Sequence, residues 1–360
     1  MKILEKRSLI ILNLQKAQTY FKVDPAESHW KPIGPAGGNI QSLLVHDGKI
    51  FAGTADPYIN GQFGLASGGG VFVSADNGQS WKSTQGMRGF AVVAMAAFNG
   101  ALYAATSGSH GSAVFISLDD GQSWEASNNG NEAPTGASVF RFAVGNGKLY
   151  AAAPGQGVLR LTDNPYVWEK LGTTGLPSLS LNAIAAVGTN LFVSTGGGGI
   201  FVSSDGNNWT AANNGLSTLT ISTLVANGNA LYAGTSLTSS IPNEVFVTTD
   251  NGQNWTRVGN GLAASLPGTL NQVFQLAVGG GKLYAASSTG LLVNDGSNWR
   301  IALQLASNPF MVCLAVKDDL VVAGNTYEGV ARSLDAEFAY ALELFIDGVV
   351  ARVGNGDPRA

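Results

Sequence analysis

The sequence predicts an all-β fold, a single ring of seven four-stranded antiparallel blades, and three observations predict it. Six of the seven tryptophans end the same phrase, S/T-x-D-x-G-x-x-W or a looser copy of it. Those six follow one another at spacings of 43, 44, 41, 46 and 44 residues. Between the phrases the chain alternates short apolar stretches with Asn/Gly turns, which leaves little room for helix. A period of roughly 40 to 50 residues means one supersecondary unit per repeat, the size of a four-stranded propeller blade.

The phrase reads SADNGQSW (Ser74 to Trp81), SLDDGQSW (Ser117 to Trp124), SSDGNNW (Ser203 to Trp209) and TTDNGQNW (Thr248 to Trp255), with looser copies LTDNPYVW (Leu161 to Trp168) and VNDGSNW (Val293 to Trp299). Each unit has the same internal order. In the second, AVVAMAAF (Ala91 to Phe98) turns at Asn99-Gly100 into ALYAAT (Ala101 to Thr106), and a Gly-rich loop leads to AVFISLDDGQSW. Short gaps, Asn-Gly or Gly-Lys turns and β-branched or aromatic runs are hairpin signals, so each unit is an antiparallel meander. The first two runs of a unit are small and almost continuously apolar, as inner strands covered on both faces must be.

The seventh tryptophan, Trp30, has no phrase before it, yet KPIGPAGG follows it much as EKLGTTGL follows Trp168. Its unit begins at the far end of the chain, where Met311 to Val316, Leu320 to Asn325 and Gly329 to Asp335 run through three strands and then lose the Gly and Trp. An N-terminal outer strand completing the last blade closes the ring and removes the open sheet edges. The expected organisation is an N-terminal extension over 1–29, the propeller over 30–338 and a C-terminal extension over 339–360; the competing possibility is that Glu343 to Val353 supplies the last strand itself.

Within the phrase, Asp76, Asp119, Asp163, Asp205, Asp250 and Asp295 fall at a hairpin turn, where a carboxylate accepts bonds from several turn N–H groups and Gly tolerates positive φ. Trp81, Trp124, Trp168, Trp209, Trp255 and Trp299 then cover the hairpins. Carboxylates repeated at one turn of every blade point away from each other around a ring, so the reading is structural rather than catalytic.

Composition excludes several functions. Gly is 48 of 360 residues and charged residues are 12%, against about 7% and about 25% in ordinary domains. The net charge is −4, with no basic cluster, so no nucleic-acid partner is expected. No apolar run reaches the roughly 20 residues that span a bilayer, and no membrane insertion is expected. One cysteine, Cys313, and three scattered histidines, His29, His46 and His110, suggest neither a disulfide nor a metal site, and no cofactor is expected. The Gly runs Gly68 to Gly70 and Gly196 to Gly199 lack the Lys-Ser/Thr and the following helix of a phosphate loop. Asn208-Trp209-Thr210 and Asn254-Trp255-Thr256 match glycosylation sequons but belong to the phrases. The N-terminus has a basic start and an apolar Leu9 to Leu14, without the length or cleavage site of a signal peptide.

The six phrases resemble the Asp-box, or BNR, repeats of the sialidase-type β-propellers, over about Trp30 to Asp335. The resemblance implies the propeller fold and an extracytoplasmic location, and it leaves activity open, because such propellers include hydrolases, receptors and assembly factors. A sialidase implies an Arg triad, a Tyr/Glu nucleophile pair and an acid Asp. Here the early Arg-Ile-Pro motif is replaced by Lys31-Pro32-Ile33, and only Arg88 and Arg141 fall near the axis.

The expected function is therefore a non-enzymatic binding or scaffold propeller, a monomer that recognises a glycan or a protein on its loop-rich face. That face carries the long connections Ala55 to Gly69 and Ser236 to Glu244 and the joining segments around Asn128 to Glu132 and Ala263 to Asn271. Tyr58, Phe63, Arg88, His110, Arg141 and Tyr327 are its candidate ligand-binding residues. The alternative is a glycoside hydrolase, sialidase-like or other, whose catalytic pair is Asp56 and Glu328, placed side by side when blades one and seven meet.

Overall fold

The computed structural model describes residues 30–32, 39–55, 58–59, 62–63, 69–107, 113–127, 139, 141–236, 243–262, 272–294, 296–303, 311–318, 320–325 and 330–333. They form seven four-stranded antiparallel sheets, each a meander, and one small two-stranded ribbon. The inner strands are Asn39–His46, Ala91–Phe98, Arg141–Gly145, Leu181–Val187, Ile221–Asn227, Val273–Gly279 and Met311–Lys317. The seventh sheet is completed from the other end of the chain: Trp30–Pro32 pairs antiparallel with Val330–Ser333, Trp30 opposite Ser333 and Pro32 opposite Ala331. The proposed extensions, 1–29 and 339–360, lie outside the described residues.

The apolar core is divided rather than single. Seven clusters of buried side chains each straddle one blade interface, for example Phe51, Met87, Val92 and Trp124 between blades one and two, and Ile40, Ile50, Cys313 and Val322 between blades seven and one. The second strands, such as Ala101–Ser107 and Lys148–Ala153, are buried along almost their whole length, because a neighbouring blade covers each face. Their alanines and glycines set how closely the sheets approach: a Cβ on Gly53 would lie 2.7 Å from Val92 Cγ1 of the next blade.

The inner strands share a defect that fixes the hub. In six blades the register slips by one residue at one place, between Ile40 and Ser42, Val92 and Ala94, Leu181 and Ala183, Ile221 and Thr223, Val273 and Gln275, and Met311 and Cys313. A bulge leaves a backbone carbonyl without its ladder partner. Polar side chains of the preceding blade take up these carbonyls. Ser42 Oγ donates to Val92 O (2.9 Å), Asn182 Nδ2 to Ile221 O (3.2 Å), Ser222 Oγ to Val273 O (2.6 Å) and Cys313 Sγ to Ile40 O (3.7 Å). Gln275 bridges blades six and seven by donating to Leu314 O (3.0 Å) and accepting from Leu314 N (3.2 Å). These hydroxyls, amides and the thiol of the inner strands are thus inter-blade stitches.

The rim has its own stitches, built on the Asp hairpins. In blade one Ser74 Oγ donates to Asp76 Oδ1 and accepts from Gly78 N, while Asp76 accepts from Ser80 N (2.8 Å) and Ser80 Oγ (2.6 Å). Blade two repeats this with Ser117, Asp119, Gly121 and Ser123. Blade four uses Ser203, Asp205, Gly206 and Asn208, and blade five Thr248, Asp250, Gly252 and Asn254. The tryptophan that follows reaches back to the preceding blade: Trp209 Nε1 donates to Gly172 O (3.0 Å), Trp255 Nε1 to Ala212 O (2.8 Å) and Trp168 Nε1 to Ser127 Oγ (3.3 Å).

Two hairpins depart from the sequence reading. In blade three Leu161 stands where blades one, two, four and five have Ser or Thr, so no hydroxyl links the turn to Asp163; that carboxylate is exposed and pairs with Lys148 (2.8 Å), and the turn closes through Asn164 Oδ1, which accepts from Tyr166 N. In blade six the strand pairing places Asn294 opposite Leu283, as Ser203 is opposite Leu191 and Thr248 opposite Leu231. Asn294 Oδ1 accepts from Gly296 N (2.9 Å), so an amide takes the hydroxyl's place in a turn one residue shorter than that of blade four. Asp295 is outside the described residues.

Candidate functional site

Strand direction sorts the connections into two faces. The two-residue turns between first and second strands and the Asp hairpins lie on one side; the second-to-third-strand loops and the segments joining blades lie on the other. On this second side the connections differ widely, from Ser288–Thr289 in blade six to the stretch between Ala55 and Gly70 in blade one, which contains the ribbon Tyr58–Ile59 paired with Gln62–Phe63.

Of the candidate ligand-binding residues, two have described side chains. Arg88 is exposed in the segment joining blades one and two and lines a groove of about 280 Å³ with Gly69, Gly70, Phe72, Ser83 and Thr84. That segment is pinned by Gly89 N donating to Gly69 O (2.8 Å). Arg141 opens the inner strand of blade three opposite Ala152, the position that Ser42 and Cys313 occupy opposite Gly53 and Gly324. It is the one charged residue of this hub row, whose other members are Ser42, Ala94, Ala183, Thr223, Gln275 and Cys313. Burial pulls its guanidinium below the ordinary value, and Cys313 in blade seven is near enough to oppose that shift. Burial likewise pushes the Cys313 thiol up to about 12, against the pull of Arg141.

The structure pairs Tyr58 with Phe63 through their backbones. Asp56, His110, Tyr327 and Glu328 lie outside the described residues, as do the side chains of Tyr58 and Phe63. The strands that Asp56 and Glu328 follow, Lys49–Ala55 and Leu320–Asn325, belong to adjacent blades joined through Cys313 and Ile40.

The Asp-hairpin carboxylates are held ionised by their turns. Hydrogen bonds from the Ser80 hydroxyl and N–H, with Ser74 behind them, hold Asp76 down to about 2; in Asp250, Thr248 and then Asn254 hold it at about 2. Asp119 also falls to about 2: burial opposes the shift and the bonds from Ser123 and Ser117 outweigh it. Asp205 lies lower still through Asn208 and Asn207. A carboxylate so stabilised in its charged form is a poor general acid.

One buried acid escapes the sequence reading. Glu244 immediately precedes the third strand of blade five, Val245–Thr248, accepts from Leu262 N (2.7 Å) and lies 3.9 Å from Arg257 Nε. Asn243 beside it is buried with neither amide atom hydrogen-bonded. No spacing in the sequence separates Glu244 from an ordinary loop-end acid, because its partner is the backbone of a segment 18 residues on.

Comparison with known proteins agrees on the architecture. A family model described as the DUF6242 beta propeller domain matches residues 123–270, under half of the chain. Among curated proteins none matches. The extracellular domain of BT4673 from B. thetaiotaomicron is similar at TM-score 0.63 and 16% identity over 85% of this chain, which spans 40% of that one. YCF48 bound to D1 peptide gives 0.60 and 14% over 85% of this chain and 94% of that one. An ancestral GH74 enzyme gives 0.63 and 18% over 83% and 48%. At these identities the likeness shows the fold. No helix among the described residues is long and apolar enough to cross a membrane.

Proposed function

We propose that this protein is a binding propeller of the Asp-box, sialidase-type architecture, a monomer acting outside the cytoplasm, that holds a glycan or a protein on the face bearing the long connections. The observation that carries the reading is the asymmetry of the ring: two-residue turns and self-satisfied Asp hairpins on one side, and on the other long connections with Arg88 exposed in a groove. Rigid scaffolds place recognition on such loops. One structural neighbour of this architecture is seen with a peptide, and another is an extracellular domain. The test is a glycan array and a peptide array probed with the wild type and with Arg88→Glu and Asp250→Ala. Binding lost in the first variant and kept in the second is expected; binding confined to the hairpin-bearing face overturns the proposal.

The glycoside hydrolase reading, with Asp56 and Glu328 as its pair, draws support from the closure of the ring, which makes their blades neighbours, and from the GH74 neighbour. It requires carboxyl groups roughly 5 to 5.5 Å apart for retention or 6.5 to 9.5 Å for inversion. Hydrolysis of an oligosaccharide that persists at the parent rate in Asp56→Asn removes this pair.

A further inference from the structure

Of the five large apolar side chains exposed among the described residues, three stand at the hairpin-side ends of blades two and three: Leu118 (58% exposed), Val144 (51%) and Val167 (37%). A groove of about 330 Å³ opens between these blades, lined by Phe98, Tyr103, Leu118, Leu161 and Pro165. Asn99 and Gly147, from two-residue turns, also line it, so it opens on the hairpin-bearing face.

The repeat supplies the control. Leu118 is the residue just before the hairpin Asp, where the others carry Ala75, Thr162, Ser204 and Thr249. Val167 is the residue just before the tryptophan, where the others carry Ser80, Ser123, Asn208, Asn254 and Asn298. The turn itself asks for neither, because blades one, four and five close their hairpins without them. Apolar side chains kept in solvent where their counterparts are small or polar mark a contact surface.

The chain carries a segment of matching chemistry. Leu9 to Leu14 is apolar at five of its six positions, and Lys6, Arg7 and Lys16 flank it. Around the groove acids outnumber bases: Asp119, Asp120, Glu125 and Asp163 stand against Lys49 and Lys148, which pair with Asp120 (3.2 Å) and Asp163 (2.8 Å). Residues 334–360 carry five acids against two arginines, so charge disfavours that end of the chain as the occupant. Connectivity favours the other. Trp30 lies opposite Ser333 as the start of a fourth strand, so the chain before it departs on the side where the other blades have their hairpins. Leu14 precedes Trp30 by 16 residues. Such a link reaches up to roughly 50 Å, about the width of a compact body of some 300 residues. A tether of this kind holds a segment at an effective concentration on the order of millimolar, enough for a contact too weak to form between separate molecules.

We infer that the groove between blades two and three is the docking site of the chain's own segment Leu9 to Leu14, with its leucines and isoleucines against Leu118, Phe98 and Pro165 and its basic flanks toward Asp119 and Asp120. The site is on the face opposite the one proposed for recognition, and it stands whether or not that reading does.

Disulfide trapping in the full chain tests this. The native Cys313 is fully buried and takes no part. Under oxidised glutathione, Leu12→Cys with Leu118→Cys is expected to give a bond within one chain, at about 10-fold the yield of Leu12→Cys with Leu219→Cys, an exposed leucine on the loop-bearing face. Without any engineered cysteine, trypsin is expected to cut after Lys6, Arg7 and Lys16 about 10-fold faster in Leu118→Asp than in the wild type. Thermal melts show that the variants fold. Equal yields from the two cysteine pairs overturn the inference, as do equal cutting rates. A Leu12–Leu118 bond formed between two chains assigns the groove to a second copy and overturns it, and so does preferential trapping of Phe345→Cys by Leu118→Cys, which assigns the groove to the C-terminal segment.

Discussion

At the hub, blades are joined by buried and half-buried polar side chains that bond backbone groups of the next blade, most of them carbonyls at bulges; at the rim they are joined by an indole reaching back across a hairpin whose carboxylate stands in solvent. The hub stitches vary in chemistry from one interface to the next: Ser42, Asn182, Ser222 and Cys313 take carbonyls at bulges with a hydroxyl, an amide or a thiol, while Gln275 holds the N–H and C=O of Leu314. The rim repeats one sequence phrase. The difference teaches that a repeat is kept uniform where the chain itself must turn, and is free to vary where only a donor of the right reach is required.

The largest effect is expected at the hub. Gly53→Val places a side chain against Ser42 Oγ and within 2.7 Å of Val92 Cγ1, where neither the sheet nor its neighbour can yield. It should cost about 3 kcal/mol by overpacking, read as a shift in the urea midpoint. A cost under about 1 kcal/mol would mean that blades slide apart more easily than their shared core implies. A smaller loss is expected at the rim from Gly175→Ala. Gly175 has φ +89° and sits against the Trp209 carbonyl of the next blade, so the substitution combines strain with a backbone contact, for about 2 kcal/mol. Should Gly175→Ala prove the costlier of the two, the rim would be the stiffer junction.

The smallest effect is that of acid. Asp76, Asp119 and Asp250 sit near 2 in the folded chain, below the roughly 3.9 of an unfolded aspartate. Groups depressed on folding contribute stability that is full above about pH 4 and is lost as the pH falls through about 2. Denaturation midpoints measured from pH 5 to pH 2 should fall across that window, and Asp250→Asn should flatten the fall. An unchanged slope would show that the hairpin carboxylate adds nothing to the turn beyond what Thr248 supplies.

The seven blades were legible because a large, rare residue marks each period and because Asn-Gly turns and alternating runs announce hairpins. The ring closure was legible for the same reason: Trp30 is a phrase ending without a beginning. The hub was not. A bulge adds a residue without a compositional mark, and the acceptor that explains Asn182 is a carbonyl 39 positions later in the next blade. Blade six misled through alignment on its tryptophan, since a turn shortened by one residue moves Asn294, rather than Val293, into the capping place.

The pairing of Trp30–Pro32 with residues 331–333 also sets a timetable. The first strand of the finished ring leaves the ribosome about 300 residues before its partner, a delay of roughly 15 to 60 s at about 5 to 20 residues per second. Until then the growing chain is an arc whose first blade leaves the apolar face around Ile40 and Ile50 uncovered, with a waiting strand ahead of it that has no sheet to join. An unpaired outer strand on one newborn chain and a three-stranded last blade on another are complementary, so exchange of the closing strand between two copies competes with closure in one.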